Sequence, residues 1–113
     1  MTSYDKGDIV LVSMDFTNRS GSKLRPAVVI SGEEYNRTTP DVLIASVTGN
    51  LGAVPHPGDH RIARWKEAGL LKPSLAQSKL ATVETSIIRR KLGRLDDVDI
   101  AAFSSGLKRA MEL

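Results

Sequence analysis

The chain has 113 residues, a formal net charge of +3, 41% hydrophobic and 26% charged residues, and no cysteine. That length fits one domain over residues 1–113 with a modest core, and the composition excludes disordered, collagen-like and membrane-embedded classes. Without cysteine there is no disulfide, no thiolate zinc site and no cysteine nucleophile.

In chain order, Asp8–Ser13 reads as a strand rich in β-branched residues, behind the turn residue Gly7. A polar loop over 15–23 follows, with Gly21 and one exposed aromatic candidate, Phe16. Pro26–Ser31 is a second strand, with its proline at the start, where a missing backbone donor is tolerated. A third strand, Asp41–Thr48, is fenced by Pro40 and Gly49. These runs are nearly continuous in apolar residues, which predicts burial on both faces, as in a small closed barrel. Residues 49–60 hold three glycines and two prolines and predict a long irregular loop, a frequent place for function.

Beyond one helical turn around Trp65, Leu75–Glu84 predicts a strand and Lys91–Leu95 a short last one. The final segment is the clearest helix. Asp96 caps it, Asp99 stands three residues on in a capping-box arrangement, and Ile100, Phe103, Leu107 and Ala110 or Met111 trace one apolar face. The fold class expected is mainly β with α: a small β-barrel of five or six short strands with a C-terminal helix.

The charge is unevenly spread. Residues 61–94 carry nine Lys or Arg against Glu67 and Glu84, a balance of +7, and Asp96, Asp97 and Asp99 follow directly. Such a stretch favours a polyanion such as RNA, and a set of solvated strand and turn residues is the plain alternative. No basic-then-apolar leader opens the sequence, and no run approaches the roughly 20 apolar residues of a membrane span. The expected location is the cytoplasm, with no membrane partner.

The run Gly7-Asp8-Ile9-Val10-Leu11-Val12, the loop residues Gly21-Ser22-Lys23, and Arg25-Pro26-Ala27-Val28-Val29-Ile30-Ser31 together resemble the PemK/MazF family of toxin components. Ile44–Thr48 is similar to the family strand that ends in a functional Thr or Ser, and Gly69–Ser74 through Arg90–Leu95 to its second half. The resemblance implies an SH3-like barrel that forms a homodimer. It also implies a cofactor-free, metal-independent endoribonuclease that cuts single-stranded RNA at short motifs, leaving 2′,3′-cyclic phosphate and 5′-hydroxyl ends. A cognate antitoxin protein would block the RNA groove. Rival readings on a similar barrel are a CcdB-like toxin that binds DNA gyrase and a catalytically inactive RNA-binding barrel.

Carried onto this sequence, the resemblance makes Arg25 and Thr48 the catalytic residues. Metal-free cleavage must align the RNA 2′-hydroxyl and stabilise charge on a pentacoordinate phosphate. A guanidinium grips two phosphate oxygens at once and is a poor proton acceptor, so Arg25 suits charge stabilisation. Its structural alternative is a pair with a carboxylate such as Asp15. Thr48 would donate to the phosphate or align the 2′-hydroxyl, against the plainer role of a strand-end threonine capping a turn.

Phe16, Ser20, Ser22, Lys23, Asn50, Ser74 and Lys79 are the expected RNA contacts, Phe16 by stacking on a base. The strand over 76–84 departs from the family pattern. Ser78 or Lys79, depending on register, stands where an acid is usual, and Ala81 where an arginine is usual, so the family's usual carboxylate general base is replaced there. His56 and His60, near Asp59, are general-base candidates more than metal ligands, and loop residues before either.

Overall fold

A computed structural model describes residues 3–13 and 23–113. The strands are β1 (Asp8–Ser13), β2 (Leu24–Val29), β3 (Asp41–Thr48), β4 (His60–Arg61), β5 (Leu75–Glu84) and β6 (Ile88–Arg94). A short helix α1 (Glu33–Thr38) joins β2 to β3, and α2 (Asp97–Met111) closes the chain. All pairings are antiparallel, in the order β4-β5-β3-β2-β1-β6.

The strands are buried on both faces, because successive residues feed two separate cores. Ile9, Val28, Ala45 and Val47 pack with Ile62, Ala68, Leu70 and, from α2, Phe103 and Leu107. Their neighbours Val10, Val12, Ala27, Val29, Val42 and Ile44 point the other way, onto Val83 and Ile88. A period of two with apolar residues in both phases is what erased the alternation in the sequence.

The sheet is barrel-like without closing. Among the described residues no ladder joins β4 to β6. Instead the turn after β4 presses backbone against backbone on β6. A Cβ on Gly69 would overlap the Leu92 carbonyl oxygen, and one on Gly93 would overlap that of Ala68. Gly69 also holds φ at +89°, so both its conformation and its clearance require glycine.

Helix α1 and strand β4 are additional to those the sequence announced, as is a single 3-10 turn over Thr85–Ile87. Helix α1 has six residues and none buried, so it carries no apolar periodicity to read. An Arg37–Glu33 pair at 2.7 Å and the Asn36 side chain, which donates to Tyr4 O and Ser31 O, hold it in place. Strand β4 is two residues long and lies at the end of what reads as the 49–60 loop.

The capping box of α2 is half formed. Asp96 caps the helix by accepting from Val98 N at 2.9 Å. Asp99 does not turn back to complete the box. Its carboxylate is 1% exposed and accepts from Ala63 N at 2.9 Å, Arg64 N at 3.0 Å and His60 Nε2 at 2.7 Å. Three donors from the β4 turn outbid one donor of its own helix. Burial pushes the Asp99 carboxyl up, and these hydrogen bonds outweigh that and hold it below its ordinary value. The apolar face of α2 buries Phe103 and Leu107, with Ile100 packed at the edge; Ala110 and Met111 lie exposed beyond it.

Candidate functional site

The geometry of the site follows from strand register. In the β2–β3 ladder Ala27 faces Ser46, Val28 faces Ala45 and Val29 faces Ile44. Carrying the same register two residues on sets Arg25 across from Thr48, on the sheet face of Ala27 and Ser46. Directly opposed residues stand about 5 Å apart at Cβ. Both residues line a cleft of about 180 Å³ together with Ser46, Asn50, Gln77 and Lys79. They also border a cleft of about 410 Å³ on the other side, walled by leucines and carrying Lys72 and Arg90.

Lys79 and Gln77 reach the smaller cleft through a distortion of β5. Ala45 pairs with Leu80 and Val47 with Ala76, so two steps along β3 span four along β5. The two extra residues bulge opposite Ser46. Bulges next to active sites re-aim side chains, and this one leaves backbone donors without a ladder partner. Asp59 supplies the missing acceptor, taking Ser78 N at 2.8 Å and Ser78 Oγ at 3.1 Å. Its second oxygen accepts from His56 N at 2.8 Å. Burial raises the Asp59 carboxyl, but these hydrogen bonds prevail and hold it below the ordinary value.

Thr48 both caps a turn and borders the cleft. Its Oγ1 accepts from Asn50 N at 3.1 Å, and the Asn50 carboxamide in turn accepts from Gly52 N at 3.1 Å. One lone pair is thereby spent and the hydroxyl proton stays available for donation.

Ser74 lines the larger cleft but is buried, and its hydroxyl donates to Lys72 O at 2.8 Å. Lys23 is exposed and lies outside the lining of both clefts. Phe16, Ser20 and Ser22, and the Asp15 weighed as a partner for Arg25, lie outside the described residues. Neither histidine borders Arg25. His60 pairs with Asp99 and stacks on Phe103, 6.4 Å between ring centroids. Among the described residues no three His, Asp or Glu side chains converge on a metal position.

The basic stretch divides by partner. Lys91 pairs with the buried Asp8 at 3.1 Å and Arg94 with Asp97 at 3.2 Å. Lys72, Lys79 and Arg90 join Arg25 at the clefts, and no acid appears among the described residues lining either. Sequence reasoning missed Ser46, Gln77, Lys72 and Arg90. A usable signal existed for Ser46, a polar residue inside an otherwise apolar stretch of its strand.

Residues 5–111 match the model of the PemK-like, MazF-like toxins of type II toxin-antitoxin systems. The chain belongs to this family. Its fold is that of solved MazF toxins. An endoribonuclease in complex with its cognate antitoxin, from a mycobacterial species, aligns with a TM-score of 0.78 at 16% identity, covering 98% of this chain and 97% of that one. MazF-mt6 of Mycobacterium tuberculosis aligns at 0.74 and 19% identity, covering 94% and 97%. MazF of Deinococcus radiodurans aligns at 0.76 and 20% identity over the whole of both chains. No curated protein matches the sequence. Among the described residues of this MazF-like chain, no helix is long and apolar enough to cross a membrane.

Proposed function

We propose that this MazF-like toxin is a metal-independent endoribonuclease that cleaves single-stranded RNA by attack of the RNA's own 2′-hydroxyl. The observation that carries the reading is that Arg25 of β2 and Thr48 of β3 line one cationic cleft, together with Lys79. Arg25 grips non-bridging oxygens as charge builds on phosphorus, and Thr48 donates its hydroxyl proton to the same phosphate or aligns the nucleophile. Asn50 and Lys79 flank the strand being cut, and Lys72 and Arg90 hold its continuation. The test is incubation of the purified chain with mixed-sequence single-stranded RNA in excess EDTA. Discrete fragments are expected; RNA left intact would overturn the reading.

Four cleft cations set an electrostatic expectation. Single-stranded nucleic acid releases counterions in proportion to the phosphates neutralised, with a slope of about −0.7 per contact. Plotting log affinity for a non-cleavable RNA against log salt is expected to give a slope near −3. A slope near zero would place the RNA elsewhere.

The partners of this reading are RNA, a cognate antitoxin that covers the cleft, and a second copy of the chain, all in the cytoplasm. The endoribonuclease of mycobacterial origin to which this chain is similar is itself bound to an antitoxin. A homodimer is supported by the small core of a 113-residue chain and by Leu24 and Leu71 at the rim of the larger cleft, 52% and 98% exposed. Light scattering at micromolar concentration is expected to give twice the chain mass of 12.2 kDa. A monomer mass would refute the dimer.

A further inference from the structure

The β5 bulge buries a polar pair beside Arg25 for which neither core packing nor the two catalytic residues gives a reason. Ser46 and Gln77 are 7% and 9% exposed, and Ser46 Oγ donates to Gln77 Oε1 at 3.2 Å. A buried amide is costly unless its donors are used. Gln77 Nε2 has no hydrogen-bond partner among the described residues, and no fully buried side-chain polar atom there lacks one. The amide nitrogen therefore opens onto the cleft that Gln77 shares with Arg25, Thr48 and Lys79.

We infer that Gln77 is a further catalytic residue, a neutral donor to a non-bridging oxygen of the scissile phosphate, and that Ser46 is the positioning residue that turns it there. The inference rests on the endoribonuclease reading above. With the Ser46 hydroxyl donating to Oε1, the amide nitrogen is the end of the carboxamide left for the substrate. A carboxamide free to rotate would present its oxygen to a phosphate half the time and repel it. The bulge is what makes the arrangement possible, because a regular β5 would spread residues 77 and 79 along the ladder instead of gathering both opposite Ser46. Gln77 adds a donor without adding charge, so it sharpens alignment more than it raises affinity.

Gln77→Met keeps the length of the side chain and removes its donors. With single-stranded RNA, kcat is expected to fall about 10²-fold while KM stays within threefold. Ser46→Ala should lower kcat about tenfold, and the double variant should be no slower than Gln77→Met, because the serine acts through the glutamine. A phosphorothioate at the cleaved bond gives a readout that a purely structural role would not move. Sulfur in one of the two diastereomers should slow the wild-type chain, and that penalty should vanish in Gln77→Met.

Should Gln77→Met fail to fold, Ser46→Ala decides by the same sulfur measurement. A wild-type chain that cuts RNA while both variants keep its rate within twofold and its sulfur discrimination would overturn the inference alone. A wild-type chain that leaves RNA intact would overturn the parent reading and the inference with it.

Discussion

Arg25→Ala is expected to slow RNA cleavage by about 10³-fold, the largest effect of any single change at the cleft. The magnitude follows from the role proposed for the side chain. Phosphoryl transfer concentrates negative charge on the equatorial oxygens at the transition state, and a fixed guanidinium meets two of them at once. Arg25 projects from β2, where it pairs with Val12 of β1, which anchors its root. Arg25→Lys should recover only part of the loss, because a point charge does not reproduce the planar fork.

Thr48→Ala should cost less, about 10²-fold, since it removes one neutral donor and leaves the clamp in place. It also deletes the acceptor for Asn50 N, so some of that loss is turn geometry and not chemistry. Steady-state rates for the three variants on one RNA settle the ranking. Thr48→Ala equal to or worse than Arg25→Ala would show that the roles are exchanged.

The largest expected effect on stability lies on the opposite sheet face, at Asp99. Asp99→Ala strips the acceptor from Ala63 N, Arg64 N and His60 Nε2 together, leaving partly buried donors unpaired. A loss of about 3 kcal/mol is expected. For a domain of this size that lowers the melting temperature by about 15 °C. A shift under 2 °C, read by circular dichroism, would mean that water replaces the carboxylate at little cost.

The same carboxylate gives a pH signature. Its pKa is lowered in the folded chain, so its stabilisation is complete above the unfolded value of about 3.9 and is lost as pH falls through the folded value. Asp59 is shifted in the same direction and adds to the slope. Stability should therefore decline as pH falls below about 4, and less steeply in Asp99→Asn.

The parts of the fold that were legible in the sequence are those governed by local chemistry. Asp8–Ser13, Asp41–Thr48 and Leu75–Glu84 are strands over those residues, because β-branched runs between turn residues leave few alternatives. β2 is displaced to 24–29, since Ser31 leaves the strand to bond Asn36. β6 begins at Ile88 and not at Lys91, where Arg89 and Arg90 hid the start of the strand from a hydrophobic pattern.

What stayed hidden depends on contacts distant in sequence. The β5 bulge is satisfied by Asp59, nineteen positions earlier, which accepts from Ser78, and no window around residue 78 contains that fact. Asp99 reads locally as a capping-box acid and is claimed by the β4 turn 35 to 39 residues away. Arg25 and Thr48 could be named separately from the sequence, by resemblance. That they line one cleft, and that Gln77 and Lys79 share it, is a consequence of register and bulge.

In the proposed mechanism the RNA supplies its own nucleophile while Arg25 and Thr48 serve the phosphate. The most direct test is an RNA cut at one known bond, compared with the same RNA carrying a 2′-deoxyribose on the 5′ side of that bond, both in excess EDTA. The all-ribose strand is expected to yield a 2′,3′-cyclic phosphate and a 5′-hydroxyl, and the deoxy-substituted bond to stay intact. Cleavage of the deoxy-substituted bond, or fragments bearing 5′-phosphates, would contradict this mechanism.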